Sequence, residues 1–131
     1  SMIRRVYEQA SQSHALAAVV VATDHADIYN HVKSFGGHAC MTRADHVSGT
    51  DRCYEALRAQ AEAFDYVINV QGDEPFIQPS QIDALANVLD GKTEIATLAK
   101  RITSSEQLFN SNVVKVVMSA SREALYFSRS P

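Results

Sequence analysis

The chain has 131 residues, 46% of them hydrophobic and 21% charged, with a formal net charge of -3. That length supplies one compact α/β core or part of one, not two independent ones. Interleaved acids and bases exclude the long positive stripe of a nucleic-acid binder, and no apolar run approaches the ~20 residues that cross a bilayer.

The first residues, SMIRRVYEQA, lack the apolar core of a signal peptide, so a soluble, cytoplasmic protein is expected. Ser1 before Met2 is compatible with a tag scar or with a chain that starts further upstream. Ile3, Val6, Tyr7 and Ala10 recur at helical spacing and predict a surface helix over 3–11. The β-branched run from Ala15 to Thr23 predicts a strand buried on both faces, as in parallel sheets. Asp24 is placed to cap a helix carried by Ile28, Val32 and Phe35, which Gly36-Gly37 should stop.

The order then repeats. His38–Thr42 predicts a short strand, 43–49 a loop, and the alanine-rich stretch Asp51–Phe64 a helix of strong intrinsic propensity. Asp65–Val70 predicts another strand, followed by a loop with two prolines and a glycine. A helix capped by Ser80 should bury Ile82, Leu85, Ala86 and Leu89 and close at Asp90-Gly91. Residues 94–102 predict a strand, 104–109 a short helix, 112–119 a strand, and 124–131 a last extended segment. Strands alternating with helices imply a Rossmann-like, mostly parallel sheet with helices on both faces and a ligand crevice at the carboxyl ends of the strands.

Two segments carry groups suited to chemistry. In Val70-Gln71-Gly72-Asp73-Glu74-Pro75 a buried strand opens into a loop with two carboxylates beside a glycine. Mg²⁺ takes about six oxygen ligands, commonly one or two carboxylates plus substrate phosphates, and Asp73 suits that role. The same residues also suit a plain acidic turn before proline. In His46-Val47-Ser48-Gly49-Thr50-Asp51-Arg52 small hydroxyl residues precede a helix whose free N–H groups can hold an anion, and Arg52 offers a fork for phosphate. Ser48 or Thr50 acting simply as a cap, with Asp51 complementing the helix dipole, is the alternative.

Other residues carry bland expectations. The five histidines never share a helix face at i, i+4 beside a third ligand, which argues against a zinc site. Tyr7, Tyr54 and Tyr66 sit at core spacings and are expected to pack. Cys40 and Cys53 are expected as reduced thiols, Cys53 unreactive because it lies inside a helix.

In this order, H-x-S-G-T-D-R, V-x-x-V-Q-G-D-E-P, NSNVVKVV and ALYFSRSP, together with VVVATD at Val19–Asp24, closely resemble the CMP-Kdo synthetase family, a branch of the nucleotide-sugar pyrophosphorylase-like fold. The resemblance covers essentially the whole chain and implies a single partial nucleotidyltransferase domain over 1–131. It implies a cytidylyltransferase that uses CTP and 3-deoxy-manno-octulosonate (Kdo), with Mg²⁺, in lipopolysaccharide synthesis, as a homodimer. By the same resemblance Asp73 is a Mg²⁺ ligand, and Gln71 touches the sugar or the nucleotide. Ser48, Gly49, Thr50 and Arg52 lie over the cytosine and ribose. Glu74 and Arg129 are placed on the sugar side, with Arg129 set to pair with its carboxylate. Asn112, Val113 and Lys115 support the sheet. Family members also carry a glycine-containing phosphate loop before the first helix, and a second metal aspartate beyond the last proline. An excerpt inactive by itself is therefore expected. The rival within the fold is another sugar nucleotidyltransferase, such as a CMP-sialate synthetase, which should lack the joint pattern.

Overall fold

The apolar stripe of Ile3, Val6, Tyr7 and Ala10 folds as α1, Met2–Ala10, burying Val6 and Ala10, with the Ser1 hydroxyl accepting from the Arg4 N–H. The computed structural model describes residues 1–131, which divide into two units, Ser1–Ala96 and Thr97–Pro131.

The first unit is built on a β-α-β step. Strand β1, Val21–Thr23, pairs in parallel with β2, Ala39–Met41, in the register Val21↔Ala39, Ala22↔Cys40, Thr23↔Met41. The crossover is α2, Ala26–Ser34, which packs on both strands and buries Val32 completely. It ends as expected at the glycine pair, where the Gly37 N–H donates to the Val32 carbonyl at 3.0 Å. Its cap is His25, whose Nδ1 accepts from the Asp27 N–H at 3.3 Å, rather than Asp24. Asp24 is taken instead by an ion pair with Arg52 at 3.3 Å, and a charge partner outcompetes a local cap.

Helix α3, Gly49–Arg58, is capped by Ser48 and packs on β1. It stops six residues before Phe64, the expected end, because Ala61, Glu62 and Ala63 are exposed and propensity without a packed face does not sustain a turn. Helix α4, Pro79–Ala86, starts at Gln78, whose N–H donates to Gln81 Oε1 at 2.8 Å. Pro79, with its fixed φ and no N–H, takes the first helical position and displaces the start expected at Ser80. The helix buries Ile82 against α1. An aromatic node ties α1 to α2, with Tyr7 5.6 Å from Phe35 and the Arg4 guanidinium 5.5 Å over the Phe35 ring. Tyr7 thus packs, but Tyr54 does not, being 60% exposed on α3.

Two expected strands are not laddered. Of Ala15–Thr23 only the last three residues pair, since β2 offers three partners. Asp65–Val70 keeps a strand's period, with Tyr66, Ile68 and Val70 half-buried and Asp65, Val67 and Asn69 exposed, but has no paired neighbour within 1–131. Residues 94–102 likewise form no strand, and Ile95 is 92% exposed.

The second unit holds α5, Ser105–Phe109, capped by Ser104, then β3, Lys115–Met118, and β4, Ala124–Ser128. These two strands are antiparallel, from Lys115↔Ser128 to Met118↔Ala124, with an irregularity between Val117 and Met118. A link this short forces that direction, because a parallel return needs a dozen or more residues. The fold is α/β with a parallel β1–β2 pair, as the alternation of elements predicts.

Candidate functional site

Within the first unit, α1, residues 15–22, α3 and residues 62–73 border a cavity of about 1210 Å³. Its wall includes Ser48, Gly49, Thr50 and Arg52 from the start of α3, and Gln71 and Asp73 from the loop after residue 70. The two motifs, some twenty residues apart in sequence, therefore face one space. Their closeness shows at Gly49, where a methyl group would already touch the Asn69 amide at 3.4 Å. Glu74 does not line the cavity. Arg129 belongs to the second unit, where its guanidinium donates to the Ser111 carbonyl at 3.1 Å.

The loop bearing Asp73 is a turn, closed by the Glu74 N–H donating to the Gln71 carbonyl at 3.2 Å. The backbone makes the plain acidic turn before proline, and the Asp73 carboxylate stays exposed, with no ion pair or hydrogen bond. That side chain is a single hard oxygen donor at the cavity wall. No three His, Cys, Asp or Glu side chains gather anywhere in a cluster able to hold a metal.

The start of α3 is more tightly made. Ser48 Oγ accepts from the Asp51 N–H at 3.2 Å and donates to the Asp51 carboxylate at 2.6 Å, so Ser48 is the cap that the sequence offered alongside Thr50. Arg52 is engaged on several sides. Its Nη1 donates to Thr42 Oγ1 at 2.7 Å and to the Arg43 carbonyl at 3.2 Å, while Nη2 meets Asp24. The guanidinium thereby joins the ends of β1 and β2 to α3.

Glu55, Arg43 and Asp45, to which sequence reasoning gave no role, complete the surroundings with His46 of the first motif. The Glu55 carboxylate accepts from the Arg43 N–H at 3.2 and 3.3 Å and is bonded to His46 Nε2. The His46 ring, helped by that N–H, holds the Glu55 carboxyl below its ordinary range against the opposing effect of desolvation. Arg43 in turn pairs with Asp45 and lowers its carboxyl. The available signal was the spacing of His46, Arg52 and Glu55, which puts Arg52 and Glu55 one helical turn apart. Cys40 and Cys53 are separate free thiols, half-buried, and burial pushes both pKa values up. No helix is long and apolar enough to cross a membrane.

Comparison with known proteins gives one answer. The chain is 50% identical over 129 residues to the 3-deoxy-manno-octulosonate cytidylyltransferase of Cytophaga hutchinsonii, a match spanning 98% of this chain and 52% of that protein. It is 52% identical over 134 residues to the protein of the same name from Bacteroides thetaiotaomicron, with 99% and 53% coverage. The chain thus spans about half the length of the curated relatives it matches. A solved structure of CMP:2-keto-3-deoxy-manno-octonic acid synthetase complexed with CTP superposes with a TM-score of 0.91 at 44% identity, covering 98% of this chain and 53% of that one. A family model described as cytidylyltransferase matches residues 1–131 from end to end, and the chain belongs to that family.

Proposed function

We propose that this chain is part of a 3-deoxy-manno-octulosonate cytidylyltransferase, which joins CMP from CTP to Kdo and releases pyrophosphate, feeding lipopolysaccharide synthesis in the cytoplasm. The observation that carries the reading is that both family motifs, around Ser48–Arg52 and Gln71–Asp73, line one cavity in a chain so similar to enzymes of that name. The two units are read as portions of a single nucleotidyltransferase domain, and the whole protein as a homodimer.

In the reaction the anomeric hydroxyl oxygen of Kdo attacks the α-phosphorus of CTP. The bond from that phosphorus to the bridging oxygen breaks, pyrophosphate leaves, and the hydroxyl proton passes to solvent. Ser48, Gly49 and Thr50 would lie along the cytosine and ribose, and Gln71 would orient the sugar or the nucleotide. Arg52, already held by Asp24, Thr42 and the Arg43 carbonyl, would act by shaping the wall. Glu74 and Arg129 would serve the sugar side.

Asp73 fits Mg²⁺, because an exposed, unpaired carboxylate is the donor this ion accepts when substrate phosphates supply other ligands. When bound, the ion supplies charge neutralisation on the phosphate oxygens, worth several kcal/mol of barrier. One carboxylate from this chain leaves room for those phosphates.

Product analysis tests the assignment. The full-length protein that carries this chain, incubated with CTP, Mg²⁺ and Kdo, N-acetylneuraminate or a sugar phosphate in turn, should form CMP-Kdo and pyrophosphate and leave the other acceptors untouched. Transfer to N-acetylneuraminate instead would move the protein to the sialate branch of the fold. The half-length match favours a second statement, that residues 1–131 alone are inactive. Calorimetry on that polypeptide with CTP and Mg²⁺ should show binding no tighter than roughly 100 µM.

A further inference from the structure

One residue of α3 grips the loop in front of that helix from a position outside the cavity wall. Arg52 and Glu55 lie three apart and share a helix face. Arg43 stands between them: its carbonyl accepts from Arg52 Nη1 at 3.2 Å, and its N–H donates to the Glu55 carboxylate at 3.2 and 3.3 Å. Both polar groups of one backbone residue are thus held by a single helix. Glu55 then reaches three residues further along the loop to His46 Nε2, and the two side chains are 32% and 15% exposed. Two residues beyond His46 the chain caps α3 through Ser48 and enters the cavity wall.

We propose that Glu55 is a positioning residue, fixing the Arg43–His46 stretch so that Ser48, Gly49 and Thr50 keep their place at the cavity. The inference rests on the cytidylyltransferase reading for what the wall recognises. Without Glu55, Arg52 still holds the Arg43 carbonyl, but the Arg43 N–H and His46 lose their shared acceptor. The wall then becomes an ensemble, and a nucleotide must order it on binding, which raises KM without changing the chemical step.

Two measurements on Glu55→Ala and Glu55→Gln test this. Hydrogen exchange on the 131-residue chain and on the full-length protein should show the Arg43 amide exchanging about tenfold or more faster in E55A, with E55Q restoring most of the protection, because the Gln carbonyl still accepts. Steady-state kinetics of the full-length protein should show KM for CTP raised about tenfold in E55A with kcat within about threefold, and E55Q close to wild type. Unchanged Arg43 exchange in E55A overturns the clamp. A freed Arg43 amide with an unchanged KM for CTP overturns its role at the site. A kcat loss at constant KM would make Glu55 part of the chemistry instead and also overturn it. Should the wild-type protein fail to use CTP, the functional reading and with it the positioning role both fall, while the exchange result still judges the clamp by itself.

Discussion

The Ser13 hydroxyl donates to Asp83 Oδ1 at 2.5 Å, joining the end of α1 to the middle of α4 across 70 residues of sequence. The Ala15 N–H donates to the same oxygen at 3.3 Å. Ser13 is buried, so its hydroxyl has little access to water when the partner is lost. The bond from Ser13, seconded by the Ala15 N–H and opposed by desolvation, keeps the Asp83 carboxyl below its ordinary range. A depressed folded-state pKa means stability that is fully present above the unfolded value of about 3.9 and lost as pH falls through the lower folded value. Asp83→Asn should therefore melt several degrees below wild type at neutral pH, and the gap should narrow below about pH 4. Melting curves at both pH values check this, and a gap that stays constant into acid would show that the charge is irrelevant.

The end of α2 offers a second test. A methyl group on Gly37 would stand 2.7 Å from Val32 Cγ1 and 2.8 Å from Phe35 Cε2. Val32 is fully buried, so its side chain has nowhere to retreat. Gly37→Ala should cost about 1–3 kcal/mol by overpacking. Urea unfolding of Gly37→Ala, Val32→Ala and the double variant separates this from a backbone effect, since the double variant should lose less than the two single losses added together. Strict additivity would mean that the two side chains do not collide.

What was legible in the sequence was local. The stripe of Ile3, Val6, Tyr7 and Ala10, the cap at Ser48 and the stop at Gly36-Gly37 each depend on groups within a few residues, and each element forms where its pattern falls. The motifs around Ser48 and Asp73 border one cavity, which agrees with an order of elements that gathers its loops on one side of the sheet. The rest turned on distant partners. Asp24 carries a good cap residue's side chain but is claimed by Arg52, 28 positions later in the chain. Tyr66, Ile68 and Val70 alternate like a strand, yet pairing needs a neighbour, and no spacing within the segment supplies one. The grip of Glu55 on Arg43 runs through a backbone N–H, which no residue identity announces.

The second unit has its own keystone. Lys115 is 8% exposed, and its Nζ donates to the carbonyls of Asn110 and Arg129, each at 2.7 Å. One ammonium thus fastens the approach to β3 and the exit from β4. Lys115→Met keeps an apolar stem of similar length and removes both donors, which should cost about 1.5–3 kcal/mol. Hydrogen exchange of the β4 amides in the variant is the direct readout. Protection equal to wild type would show that the β3–β4 ladder holds without the ammonium.

Asp73 gives the sharpest test of function, because its side chain contributes nothing visible to the fold. The turn that carries it is closed by backbone atoms of Gln71 and Glu74, and its carboxylate is exposed and unpaired. Asp73→Asn is close to isosteric and preserves the turn, so the melting temperature should not move. Asparagine retains an oxygen but not the negative charge that a hard divalent cation prefers. If this carboxylate serves Mg²⁺ beside the triphosphate, turnover of the full-length protein should fall on the order of a hundredfold at saturating Mg²⁺. Binding of CTP without metal should stay as it was, since the cavity wall around Ser48–Thr50, proposed to lie along the cytosine and ribose, is untouched. Near-normal turnover in an Asp73→Asn protein that melts like wild type would remove this carboxylate from the metal site.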